Sequence, residues 1–223
     1  MNFLDQNSGW LGLPPESSWE VKNDLSDSNP FVEYRKLLWS YHLATTMGMS
    51  DQDFLTIVRN LDEAVSEIAA IGFQETPLVL LTELSEAIEQ NGGIWAKNET
   101  VNVSGSHKAR HLFGLAIRLE IEEVSKNKPL TIASCGNAAL AASVIAKAAK
   151  RTLTVNVPTW AETSLLDELS DNGAQIQICE RRSDESGDPC MLRFRELLEE
   201  GALPFGCQGT ENILHACKEN NIK

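Results

Sequence analysis

From Phe31 onward the apolar residues recur at three- and four-residue steps: Phe31, Tyr34, Leu37, Leu38 and Tyr41 predict a helix that Gly48 ends. Ser50 caps a second helix, with Phe54, Ile57, Val58, Leu61, Ala64, Val65 and Ile68 on one face and Gly72 beyond its end. After Thr76-Pro77 comes a short apolar run, Leu78 to Leu81, then a short helix around Leu84 to Glu89. Gly92-Gly93 turns the chain into Ile94-Trp95-Ala96-Lys97, a predicted strand. A polar loop from Asn98 to Ser106 precedes a long helix over His107–Ser125, striped by Leu112, Leu115, Ala116 and Leu119. Beyond it strands alternate with helices: strands at 130–133, 153–157, 175–179 and 203–207, helices at 137–150, 162–172 and 189–200. This alternation predicts right-handed βαβ crossovers and an α/β fold, a parallel sheet with helices on both faces. Residues 1–30, rich in Asn, Asp, Ser, Gly and Pro, read as an irregular arm pinned by Trp10 and Trp19, and Glu180–Asp188 as a solvated loop.

Composition narrows the function classes. Nineteen Lys+Arg against 32 Asp+Glu give a formal net charge of −13, which disfavours nucleic acid or an anionic membrane as partner. No stretch is long and apolar enough to span a bilayer, and Met1–Pro15 lacks a secretory signal pattern. Five cysteines without a C-x-x-C pair signal neither a disulfide framework nor a zinc site, and they point to reduced, mostly packed thiols in the cytoplasm. Small molecules or other proteins are the expected partners.

Two strand–loop–helix segments carry candidate chemistry. In Asn102-Val-Ser104-Gly105-Ser106-His107-Lys108, the turn and cap place Lys108 in the first turn of a helix, where the dipole favours anions over cations. There the N–H groups could hold a phosphate, and the same field favours a neutral, nucleophilic amine. Taken alone, the segment reads as a solvent-exposed lysine that tolerates a small penalty. In Ser134-Cys135-Gly136-Asn137-Ala138-Ala139 a strand ends where a small-residue helix begins, a setting in which backbone N–H groups grip a carboxylate or serve an ordinary capped turn. His107 and His111 stand at metal-ligand spacing, but Lys-Ala-Arg between them puts cations beside any dication and disfavours zinc. His42 and His215 read as structural.

In order and spacing, these motifs resemble the fold type II pyridoxal-phosphate enzymes, the tryptophan synthase β superfamily that includes threonine synthases and serine/threonine dehydratases. The matching elements are Thr76-Pro77-Leu78, Trp95-Ala-Lys97-Asn-Glu99, Asn102-x-Ser-Gly-Ser106-His-Lys108-x-Arg110, Ala133-Ser134-Cys135-Gly136-Asn137-Ala138-Ala139, Val157-Pro158 and Asn172-Gly173-Ala174. They cover roughly residues 74–212. The resemblance implies pyridoxal 5′-phosphate as cofactor, with Lys108 as the lysine covalently joined to it and the later proton shuttle. It implies Asn137 as a hydrogen-bond partner of the cofactor's 3′-oxygen, and Ser134, Cys135, Gly136 and Asn137 as the loop gripping the substrate carboxylate. It sets His107 beside the ring or phosphate, with capping or packing as an equal alternative. The implied reaction is elimination or replacement at the β- or γ-carbon of an amino acid.

The implied domains are the N-terminal part of a large cofactor-binding domain at 31–126, a small α/β domain at 127–209, and the start of a return to the large domain at 210–223. The family's glycine-rich phosphate loop and its late pyridine-nitrogen contact have no counterpart, since Gly92-Gly93 precedes the lysine and Gly206-Cys-Gln-Gly209 does not fit. The expectation is therefore a chain truncated at its C-terminus, with the second half of the large domain missing. The alternatives to an active enzyme are a truncated, catalytically silent module or half of a split enzyme needing a partner chain, and the possible assemblies are a homodimer or a complementing chain.

Overall fold

A computed structural model describes residues 27–207. The arm expected over 1–30 lies outside the described residues up to Ser26, as do the segment at 210–223, His215 and Cys217. The chain opens with α1 (Pro30–Glu33), capped by the Asn29 side chain accepting from the Phe31 N–H at 2.8 Å. A 3₁₀ turn (Arg35–Leu37) and α2 (Trp39–Thr46) follow, so the single helix expected from Phe31 is broken. The buried Arg35 explains the break. Its Nη1 donates to the Val32 carbonyl, which a continuous helix would offer to the Lys36 N–H, and its Nε and Nη2 grip Asp51 at 2.7 and 3.2 Å.

Helix α3 (Asp51–Ala69) starts at the predicted cap, Ser50, whose hydroxyl accepts from the Asp53 N–H. It buries Phe54, Leu55, Val58, Leu61 and Val65. Strand β1 (Leu78–Leu80), α4 (Thr82–Ala87) and β2 (Trp95–Lys97) form a short unit in which the two strands pair antiparallel, Val79 opposite Ala96. Parallel pairing is thus confined to the second sheet. Leu78, Val79, Leu80, Leu84, Ile88 and Trp95 in this unit are all exposed. The long helix α5 (Lys108–Ile121) is buried nearly all round, Phe113 and Ile117 as fully as the expected stripe, because α2 and α3 pack on one side and α6 on the other. Phe113 packs edge-on against Phe31 and tilted against Phe73, with ring centroids 4.7 and 4.3 Å apart.

The remaining elements are β3 (Leu130–Ala133), α6 (Asn137–Ala148), β4 (Leu153–Pro158), α7 (Thr163–Asp171), β5 (Gln175–Cys179), α8 (Pro189–Glu199) and β6 (Leu203–Pro204). The sheet order is β5-β4-β3-β6, all parallel. The chain winds outward from β3 to β5 through α6 and α7, then returns through α8 to the opposite flank of β3. Winding therefore reverses between β3 and β6, the position at which open α/β sheets leave a crevice beyond their C-terminal strand ends. Buried side chains of α3, α5, α6 and the sheet form one continuous cluster from Phe31 to Phe205.

Candidate active site

The crevice between the ends of β3 and β6 is a cavity of about 580 Å³. Lys108 enters it from α5, Ser134, Asn137 and Ala138 from the β3–α6 junction, Met191 and Phe194 from α8, and Gly206 and Cys207 from the segment after β6. Ala133 and Ser134 also line a second cavity of about 930 Å³ over the ends of β4 and β5, to which Cys135, Gly136, Trp160, Cys179 and Cys190 contribute. Both volumes lie within the range of about 300–1,000 Å³ usual for small-molecule sites. The structure thus gathers Lys108, Ser134 and Asn137 round one cavity and sets Cys135 and Gly136 on the adjoining one. His107 precedes the helix, is exposed, makes no side-chain cap bond and is absent from both linings.

Local folding explains how Lys108 and α6 come to face the same space. Lys108 is the first residue of α5, and the Cys207 thiol donates to its carbonyl, tying the segment after β6 to the start of the helix. Among the described residues no carboxylate pairs with the Lys108 ammonium, so its charge is left for the cavity. Across from it, α6 begins at Gly136 with no side-chain cap, which leaves its first N–H groups and the positive end of its dipole available. A free amine facing an uncapped helix N-terminus fits a ligand that carries both a carbonyl-type carbon and an anionic group.

The turn before Lys108 is held by residues to which the sequence reading gives no role. Glu99, just after β2, accepts from Arg110 Nε at 2.9 Å, from Asn102 Nδ2 at 3.0 Å and from the Thr76 hydroxyl at 2.5 Å. Asn102 Nδ2 also donates to the Ser106 carbonyl at 3.0 Å, and Arg110 Nη2 to the Gln74 carbonyl at 3.0 Å. Burial pushes the Glu99 carboxyl pKa up. The hydrogen bonds from Arg110 and Thr76 and the charges of Arg110 and Lys97 outweigh it and hold the group below the usual carboxylate range. Within this turn Ser104 adopts φ 54° and Gly105 φ 63°. The left-handed serine costs about 1–2 kcal/mol and persists only where surrounding contacts enforce it. The available signal was opposite charge flanking the lysine segment, with Lys97 and Glu99 before it and Arg110 after.

Cys179 and Cys190 on the larger cavity, Cys207 on the smaller one, and His111 in α5 are all pushed toward their neutral forms. Cys190 is pushed up to about 12, by burial first and then by its neighbour Cys179, whose own thiol burial also raises. Burial raises Cys207 against the opposing charge of Lys108. The His111 imidazole is lowered by desolvation, opposed by its hydrogen bond to the Gly206 backbone and aided by the charge of Lys108. Thiols held protonated in this way are poor nucleophiles and poor metal ligands at neutral pH. Among the described residues no group of three or more His, Cys, Asp or Glu is placed to hold a metal ion.

A family profile described as pyridoxal-phosphate dependent enzyme matches residues 70–219. The chain belongs to the pyridoxal-phosphate-dependent enzyme family. No curated protein sequence matches it significantly. Solved structures with the same fold include maize serine racemase at 21% identity and TM-score 0.51, over 71% of this chain and 46% of that one. Serine racemase from Dictyostelium discoideum aligns at 22% identity and TM-score 0.51, over 72% and 49%. Escherichia coli diaminopropionate ammonia lyase, solved with an aminoacrylate–pyridoxal phosphate azomethine, aligns at 16% identity and TM-score 0.52, over 73% and 44%. This family member therefore spans about half the length of the solved structures it matches, and its cofactor is pyridoxal phosphate. Among the described residues no helix is long and apolar enough to cross a membrane.

Proposed function

We propose that the chain contributes the lysine-bearing part of an amino-acid lyase or synthase that eliminates or replaces a group at the β- or γ-carbon. The observation carrying this reading is the unpaired Lys108 amine set across one cavity from the uncapped N-terminus of α6. Bound pyridoxal phosphate supplies an electron sink for charge developing at the substrate Cα. Lys108 Nζ would hold the cofactor and, as the base facing the cavity, would exchange a proton with the substrate Cα. The N–H groups at the start of α6, with the Ser134–Asn137 loop, hold the substrate carboxylate. Asn137 serves the cofactor's 3′-oxygen, and His107, on the solvent side of the turn, flanks the ring or phosphate only from outside the two cavities. Met191 and Phe194 keep water from the inner wall. Residues 31–126 and 127–209 are taken as the large-domain part and the small domain. The test is release of a 2-oxo acid and ammonia from serine or threonine when the purified chain is supplied with cofactor. Turnover supports the reading; cofactor uptake without turnover on any β-substituted amino acid overturns the lyase assignment.

A complementing subunit, either another copy or a chain carrying further parts of the fold, is favoured by one specific observation. The β1–α4–β2 unit exposes Leu78 at 60%, Ile88 at 60% and Trp95 at 56%, with both faces of its two-stranded sheet open to solvent. An isolated two-stranded hairpin is marginal in water, and apolar faces of this kind mark contact surfaces. The expected behaviour is concentration-dependent association in sedimentation velocity, abolished by Leu78→Asp and Trp95→Asp together. A monomer at all concentrations removes the homo-oligomer reading.

A further inference from the structure

We infer that Glu99 is a positioning residue for Lys108, its carboxylate gathering Thr76, Asn102 and Arg110 so that the 102–108 turn presents the lysine to the cavity. The inference rests on the reading of Lys108 as the cofactor-attaching lysine, and it concerns how that side chain is held.

Glu99 lies at the exit of β2, Thr76 at the entrance of β1 and Arg110 in the first turn of α5, so one carboxylate joins three separate stretches of backbone. Glu99 is 16% and Arg110 24% exposed at the side chain, so the pair is screened far less than a surface ion pair. Asn102 extends the clamp inward. One amide nitrogen donates both to Glu99 Oε2 and to the carbonyl of Ser106, two residues before Lys108. The turn between them carries the left-handed pair Ser104–Gly105, with a Gly105 N–H to Asn102 carbonyl bond of 2.9 Å and an Asn102 N–H to Glu99 carbonyl bond of 3.1 Å. Helix α5 is fixed by its packing, while the turn that feeds it is anchored by the buried Val103 and given its path by this polar clamp.

The chemistry of the clamp requires a carboxylate. Donors from Thr76, Arg110 and Asn102 converge on its two oxygens, so both must accept. In Glu99→Gln the shape is kept but one acceptor becomes an N–H₂ donor facing other donors, and Arg110 loses its counter-charge. The turn then loosens without any change in the core.

The test compares Glu99→Gln and Asn102→Ala with Glu122→Gln, which removes the corresponding partner of Arg118 at the far end of the same helix. Trace acylation of the cofactor-free chain, mapped by peptide mass spectrometry, gives the labelling rate of Lys108 relative to Lys150 within each sample. The expected result is a ratio raised at least threefold in Glu99→Gln and Asn102→Ala and unchanged in Glu122→Gln. A wild-type ratio in Glu99→Gln, or an equal rise in Glu122→Gln, overturns the assignment. A second arm measures covalent uptake of pyridoxal phosphate, expected to fall about tenfold in Glu99→Gln. If acylation responds while the wild-type chain takes up no cofactor, the functional reading fails and the positioning role stands.

Discussion

Lys108→Ala is expected to lose covalent uptake of pyridoxal phosphate at least a hundredfold while the fold is kept. The side chain makes no ion pair among the described residues and is only partly buried, so its removal leaves no unpaired group behind. It stands at the first position of α5, where a cation opposes the helix dipole and alanine is the better helix former. The urea midpoint should therefore stay level or rise slightly as the visible absorbance of the bound cofactor disappears. Lys108→Arg should behave in the same way, because a guanidinium keeps the charge but does not deprotonate to attack a carbonyl. Loss of binding accompanied by unfolding would mean that the lysine is structural.

Phe113→Ala is expected to cause the largest loss of stability. Phe113 is fully buried at the centre of α5 and meets Phe31 at 4.7 Å and Phe73 at 4.3 Å between ring centroids, so one ring joins the first helix, the loop after α3 and the core. Truncating a buried phenylalanine to alanine costs about 3–5 kcal/mol through lost transfer energy and the remaining cavity. For a chain of this size the urea midpoint should fall by roughly 1–2 M, given slopes of about 1–3 kcal/mol/M. Phe113→Leu should recover more than half of the loss. The effect reaches the site indirectly, since the same helix begins at Lys108.

Most of the α/β framework was legible because strand and helix periods alternate cleanly after Leu130, and every strand and helix expected there is present within a few residues. Only β6 is shorter than its apolar run, since pairing with β3 ends at Pro204. What the pattern missed lies where tertiary contacts override local periodicity. The apolar spacing from Phe31 to Tyr41 gave one helix, yet the buried Arg35 guanidinium takes a helical carbonyl and breaks it. The stripe on α5 understated burial because it assumed one covered face where there are several. The exposed hairpin could not be anticipated, since Leu78, Val79 and Leu80 look like any strand destined for a core. At the site, the family resemblance implied Lys108 and the Ser134–Asn137 loop where local pattern alone gave an exposed lysine and a capped turn. The fold brings Lys108, Ser134 and Asn137 round one cavity through the winding reversal between β3 and β6. The Glu99 clamp was signalled only by the opposite charges flanking the lysine segment, because its partners are separated by up to 34 residues and the fold alone unites them.

The most direct measurement is borohydride reduction of the chain after addition of one equivalent of pyridoxal phosphate, followed by peptide mapping. One stable label per chain, on Lys108 and absent from Lys108→Ala, is the outcome required if this lysine holds the cofactor. Labels spread over exposed lysines such as Lys126 and Lys150, with none enriched at Lys108, would contradict it.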